Sequence, residues 1–275
     1  MKLYIVPIGG LANRMRAVAS GVALAEKTGR DPVVIWHRDK WLYASFSDIF
    51  LTESLPFELR ETGWIKYNLL YEQPRKLNLF VSGIVHSFIK KKRIFQDNNR
   101  DYISDEKEIQ RIVADSTDDV VIQSGDVFHT FGRSLLNDLF HPNDAVGQRR
   151  VDILGDEKPK YALQIRRTDN HNSISNSPLE AFEKVASKLV REDPECKIFL
   201  ATDDEETKLH FRNIYPKNIL INRAVATRRS VSGIVDAAAE MYIMASCSHI
   251  YGSYWSSFSE IAAMIGGCPL SVVRK

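Results

Sequence analysis

Apolar and polar positions along this chain follow a repeating strand–helix pattern. Leu3 to Val6 is a short apolar run that stops at Pro7 and Gly9-Gly10, as a buried strand would. Leu11, Met15, Val18, Val22 and Ala25 then recur at helical spacing, and Gly29 supplies the stop. Val33 to Trp36 reads as a second buried strand. This opening places Gly9-Gly10 and the polar cluster Asn13, Arg14 and Arg16 at the carboxyl end of the first strand, where open α/β sheets bind ligands. From about Asp39 to Asn143 the pattern is harder to read, with a strand at Val120 to Gln123 and a short helix at Arg133 to Phe140. Asp144 to Pro159 carries Gly, Pro and charge with little periodicity. It predicts a domain boundary, with residues 1–150 in one half and 151–275 in the other.

The second half is clearer. Strands are predicted at Tyr161–Ile165, Lys197–Ala201, Asn218–Ile221, His249–Gly252 and Leu270–Val273, with helices between them. The first helix has a capping-box arrangement: Ser177 at the cap, Pro178 at the first helical position and Glu180 three residues after the cap. Another runs from about Ser232 to Ser246, and one from Phe258 to Ile265 ends at Gly266-Gly267. Strands alternating with helices predict an α/β fold with parallel, doubly wound sheets.

Composition adds bounds. The 275 residues fill one large domain or two of ordinary size, and 44% hydrophobic with 26% charged residues is normal for a chain with a buried core. A net charge of +2 gives no reason to expect a nucleic-acid partner. Cys196, Cys247 and Cys268 lack metal-type spacing and sit in apolar surroundings, as reduced core thiols do. The N-terminal run is too soon broken to act as a signal peptide, and no apolar run approaches the roughly 20 residues that span a bilayer. A soluble, cytoplasmic protein is expected.

Three polar loops leave the carboxyl ends of strands in the second half. Arg166-Arg167-Thr168-Asp169 follows the first; adjacent arginines offer forked donors suited to phosphate oxygens, or a structural ion pair with Asp169 or another acid. Thr202-Asp203-Asp204 follows the second. A carboxylate there accepts from ribose hydroxyls in dinucleotide folds, and Asp is equally a favoured helix cap, the role expected for one of the two. Ser253-Tyr254-Trp255-Ser256-Ser257 follows the fourth. Ser257 and Glu260 have capping-box spacing, and hydroxyls before a helix N-terminus also make an anion site. There is no GxGxxG after the first strand, no GxxxxGK[ST], no GxSxG and no HExxH.

At these residues the chain resembles the fucosyltransferase superfamily of bacterial nodulation α-1,6-fucosyltransferases, eukaryotic core α-1,6-fucosyltransferases and protein O-fucosyltransferases. The resemblance rests on Gly9-Gly10-Leu11-Ala12-Asn13-Arg14 with Thr28-Gly29-Arg30 and Val33–Trp36, on Ile165–Asp169, on Leu200–Asp204 and on Ser253–Glu260. It implies a GT-B fold of two facing Rossmann-like domains with parallel sheets, an N-terminal acceptor half and a C-terminal half holding GDP-fucose. It also implies inversion at the sugar carbon without a metal or other cofactor. Arg166 would then hold the donor β-phosphate, with Arg167 supporting the loop and Ser256 or Ser257 donating to the same diphosphate. Glu240 falls where the family places an acid that reads guanine, or is simply an exposed helix acid. Gly10, Asn13, Arg14, Gln164, Thr202 and Asp203 complete the expected donor-binding set. Gln164 stands where the family often has His, Asn170 where some members have Lys, and Ile174 near the place of a proposed basic glutamate. Asp169 and His171 are the nearest candidates for the base, and Asp169 is equally a structural partner for Arg14 or Arg167.

Leu77, Phe80, Ile84 and Phe88 sit at helical spacing between Arg75-Lys76 and Lys90-Lys91-Lys92-Arg93. They predict either a core helix followed by a solvated basic loop, or a basic amphipathic helix resting on anionic membrane, which would suit a lipid-linked glycan acceptor in polysaccharide biosynthesis. A GT-B enzyme using another nucleotide sugar, and a non-catalytic nucleotide- or glycan-binding protein, are the competing readings.

Overall fold

A computed structural model describes residues 1–63, 92–95, 105–168 and 171–275. The chain divides into two compact units, Met1–His141 and Pro142–Lys275. Among the described residues each is built on a five-stranded, wholly parallel sheet with helices. The protein therefore has an α/β fold of two Rossmann-like halves.

In the first unit β1 (Lys2–Pro7), α1 (Leu11–Thr28) and β2 (Asp31–His37) form the expected opening. The apolar residues of β1 and β2 are buried, which is why these central strands read as unbroken apolar runs. Gly29 ends α1 in a left-handed conformation, φ 64°. There follow β3 (Glu58–Thr62), β4 (Lys92–Phe95), α2 (Glu106–Asp115), β5 (Val120–Ser124) and α3 (Arg133–Leu139). The sheet order is β3-β2-β1-β5-β4. Around Trp36, Phe46, Phe50, Phe57 and Phe140 form an aromatic core in edge and tilted contacts.

In the second unit α4 (Asp144–Leu154) precedes β6 (Tyr161–Ile165), α5 (His171–Asn176), α6 (Leu179–Glu192), β7 (Ile198–Thr202) and α7 (Glu205–Ile214). Then come β8 (Ile219–Ile221), α8 (Val231–Ala245), β9 (His249–Ser253), α9 (Ser257–Gly266) and β10 (Leu270–Val273). The order β10-β9-β6-β7-β8 runs outward from β6 to β8, then reverses to β9 and β10 on the other side. Strand direction of growth therefore switches between β6 and β9, and the crevice outside their carboxyl ends is the place a ligand would occupy.

Two local expectations change. Asp144 to Leu154 is a helix, not an aperiodic boundary segment: Asn143 caps it by accepting from Val146 N at 3.1 Å, and it packs on α8. It escapes pattern reading because Val146 is its one fully buried side chain. Ser177 does not cap α6, whose cap position is Pro178 with no side-chain bond. The Ser177 hydroxyl instead donates to Val273 O at 2.6 Å and accepts from Tyr254 N at 2.7 Å, two backbone partners that outcompete a helix end. The stretch carrying Leu77, Phe80, Ile84 and Phe88 lies outside the described residues. Among the described residues no helix is long and apolar enough to cross a membrane.

Candidate functional site

The loops at the β6/β9 switch point are tied together by short polar contacts. Ser253, the last residue of β9, donates to Gln164 O at 3.1 Å and accepts from Arg166 N at 3.0 Å, so the Arg166 backbone is fixed against the start of the next loop. From the β7 side Asp203 accepts from Arg167 N at 2.8 Å and from the Thr168 hydroxyl at 2.6 Å. Asp203 thus pins the arginine loop. Asp204 is the aspartate that caps α7, accepting from Thr207 N at 2.9 Å. Thr202 is buried, and its hydroxyl accepts from Asp204 N at 3.3 Å.

The α9 end of this crevice is under-satisfied. Ser256 occupies the cap position, yet its side chain makes no capping bond, and Ser257 is the first helical residue. The cap position expected at Ser257 is therefore held by Ser256, and no side-chain capping bond forms there. Ser256 is 3% exposed and its Oγ has no hydrogen-bond partner. Gln164 Oε1 and Arg167 Nη1 are likewise buried without a partner. Buried polar atoms are rarely left unpaired, and three around one crevice mark where a polar ligand would supply the missing bonds. Trp255, directly before Ser256, is 65% exposed and held at φ 55°, a conformation that costs a bulky residue about 1–3 kcal/mol. Such strain collects at binding sites.

Glu240 lies on α8, within a polar cluster at the end of β8. The residue keeps some solvent contact, but burial pushes its carboxyl up to about 7; Lys208 and a hydrogen bond with Asn222 pull it down, while Asp236 and Glu205 add to the rise. Lys208, Asn222 and Asp236 did not emerge from pattern reading. Lys208 sits among polar neighbours on α7, and nothing in its local sequence signals that it is buried.

Of the other expected residues, His171 is exposed at the start of α5, and Asp169 lies outside the described residues. Gly10, Asn13 and Arg14 belong to the first unit. Gly10 holds the cap position of α1 without a side-chain bond. Gly9 beside it has φ 83°, and a Cβ there would crowd the Asn13 amide at 3.0 Å. Arg14 is fully buried: it donates to Gly9 O at 2.9 Å and to His37 O, pairs with Asp39 at 3.0 Å and lies 5.3 Å over the Trp36 ring. Arg16 donates to Gly125 O at 2.7 Å and pairs with Asp126. These contacts knit the loops after β1, β2 and β5.

Two Rossmann-like halves, with a polar crevice at the switch point of the second, define the class of protein that the structure presents. No protein-family model and no curated relative matches the chain. Solved structures do. The α-1,6-fucosyltransferase NodZ, soaked with GDP-fucose, matches with a TM-score of 0.63 at 12% identity over 96% of this chain and 92% of that one. Arabidopsis thaliana FUT1 with GDP gives 0.63 at 14% identity, covering 98% of this chain and 69% of that one. POFUT1 with GDP-fucose gives 0.59 at 10%, covering 99% and 98%. The chain shares the fold of these fucosyltransferases.

Proposed function

We propose that the protein is an inverting, metal-independent glycosyltransferase that moves fucose from GDP-fucose to a glycan acceptor. The observation that carries this reading is the unpartnered, buried Ser256 Oγ at the N-terminus of α9, on the loop that Ser253 ties to Arg166. A helix N-terminus with an unused hydroxyl and a nearby arginine suits a diphosphate. In the reaction an acceptor hydroxyl oxygen bonds to the sugar's anomeric carbon from the face opposite the leaving group. The bond from that carbon to the β-phosphate oxygen breaks, GDP leaves with the electron pair, and the hydroxyl proton passes to a base, for which Asp169 and His171 remain the candidates. Arg166, Ser256, Ser257 and the α9 N–H groups are the fixed donors that would stabilise the leaving charge in place of a metal. Glu240 would accept from the N1–H and N2–H₂ edge of guanine.

The deciding experiment is a thermal-shift panel of GDP, UDP, ADP and CDP in EDTA, on wild type and Arg166→Ala. Stabilisation by GDP that the substitution abolishes is expected. An equal response in the variant, or none to GDP, removes the reading, and preference for another nucleotide would redirect it to a different sugar donor. Product analysis with GDP-fucose then separates transfer or slow hydrolysis from binding alone. Flotation with anionic vesicles at low salt tests peripheral membrane contact through 75–93 and a lipid-linked acceptor.

A further inference from the structure

Trp255 sits in a place that folding alone does not explain. Its φ of 55° lies in the left-handed region, which suits glycine and strains a bulky side chain. Its indole is 65% exposed, so burial offsets little of that strain. The backbone on either side holds it there. Before it, Ser253 Oγ accepts from Arg166 N at 3.0 Å and Tyr254 N donates to Ser177 Oγ at 2.7 Å. After it, Ser256 O accepts from the Ser259 hydroxyl at 3.0 Å and from Glu260 N at 3.3 Å. The Tyr254 and Trp255 rings lie 6.4 Å apart between centroids, tilted by 56°, and the Arg274 guanidinium lies 4.6 Å over the Tyr254 ring. The loop between β9 and α9 therefore presents an exposed aromatic surface from a fixed backbone. The next residue carries the buried, unpartnered Ser256 Oγ.

We propose that Trp255 selects the sugar of the donor, packing its indole against a 6-deoxyhexose. This deepens the GDP-sugar reading and rests on it. Consecutive Cα atoms are about 3.8 Å apart, so a sugar bonded to a β-phosphate held by the Ser256 hydroxyl lies within reach of the neighbouring indole. The loop sets this aromatic surface beside the hydroxyls of Ser256 and Ser257, and sugars present the matching mixture of C–H and O–H groups. A fucose ring offers the indole its C–H bonds and the methyl group on C5. A donor with a hydroxyl on C6 would bury that hydroxyl against the ring without a partner. It should be disfavoured by about 10- to 100-fold, the range in which an apolar site rejects an added hydroxyl.

The test is calorimetric titration, without acceptor, of GDP, GDP-L-fucose and GDP-L-galactose, which differs from GDP-L-fucose only by the hydroxyl on C6. Wild type should bind GDP-L-fucose about 10- to 100-fold more tightly than GDP-L-galactose. Trp255→Gly removes the indole and adopts φ 55° without strain, so the variant should fold, as its thermal unfolding will show. In that variant GDP affinity should stay within about twofold, GDP-L-fucose should weaken about tenfold, and the preference between the two sugars should shrink to about threefold or less. Trp255→Phe should restore most of the preference. Trp255→Asn, a residue also tolerated in the left-handed region, carries the test if the glycine variant does not fold. Equal weakening of GDP and GDP-L-fucose in these variants would reduce Trp255 to a support for the loop and overturn the proposal. A sugar preference undiminished in the variants, or absent from a wild type that binds GDP, would also overturn it and leave the GDP-sugar reading standing. No binding of GDP by the wild type overturns that reading itself, and this inference with it.

Discussion

Arg14 and Arg166 both follow the first strand of a Rossmann-like half, yet their surroundings differ. The Arg14 guanidinium is spent on Asp39 and two carbonyls within the first unit. Arg14→Ala would leave Asp39 partly buried without its cation, a loss of about 3–5 kcal/mol. We expect a large drop in the urea midpoint and, below that midpoint, unchanged GDP affinity; weakened GDP binding by the folded variant would restore Arg14 to the donor site. His37 beside it is lowered to about 4, chiefly by burial, against an ordinary value of 6.5. The unfolded chain therefore takes up the proton first as pH falls. Stability is intact above about pH 6.5 and declines down to about pH 4, by up to about 3 kcal/mol from this group. Asp39, which burial alone would raise, is held below the usual carboxylate range by His37 and Arg14, so it acts in the same direction at lower pH. Tryptophan fluorescence during urea unfolding at pH 7 and pH 5 checks this, and His37→Asn should flatten the difference. In the sequence Arg14 read as a ligand residue because the loop pattern showed the cation, whereas its partner Asp39 lies across a strand and a turn.

At the N-terminus of α9 the Ser256 hydroxyl holds the cap position with its bonding capacity unused. Ser256→Ala deletes no capping bond, so stability should change by less than about 0.5 kcal/mol, as at an uninvolved site. If the hydroxyl serves a diphosphate, GDP affinity should fall by roughly 10- to 100-fold, the worth of a hydrogen bond to a charged group, and calorimetry reads both numbers. Asp204→Ala is the converse: it removes a formed cap from α7 and should cost about 1 kcal/mol in thermal unfolding. Central strands were legible because both their faces are buried, as the unbroken run from Val33 to Trp36 illustrates. The edge strands of the first unit were not, whereas β8 and β10, at the edges of the second, were. β3 reads Glu-Leu-Arg-Glu-Thr and β4 Lys-Arg-Ile-Phe, with charge where an edge needs it, and such segments look like loops. The arginine loop and the α9 serines were legible for the opposite reason, since polar clusters directly after apolar runs stand out. Lys208 and Asn222 were not, because their burial comes from packing of α7, β8 and α8 rather than from any local pattern.

At the scale of the whole molecule, each unit has its own sheet and its own core. The segment Pro142–Lys275 should accordingly fold alone and, on the GDP-sugar reading, still bind GDP; circular dichroism melting and titration of that fragment check it. The hydrogen bond from Arg166 N to Ser253 Oγ also sets an order of events. It joins residues 87 apart in sequence, across two strands that lie side by side in the sheet. As the chain leaves the ribosome, β6 can pair with β7 on one flank, while its other flank stays open until β9 has been made. Long-range parallel pairing of this kind is slow and leaves an adhesive edge exposed meanwhile. On the GDP-sugar reading, nucleotide capture is therefore among the last properties the nascent protein acquires, and a ligand that closes the β6–β9 crevice would rescue chains stalled at that step.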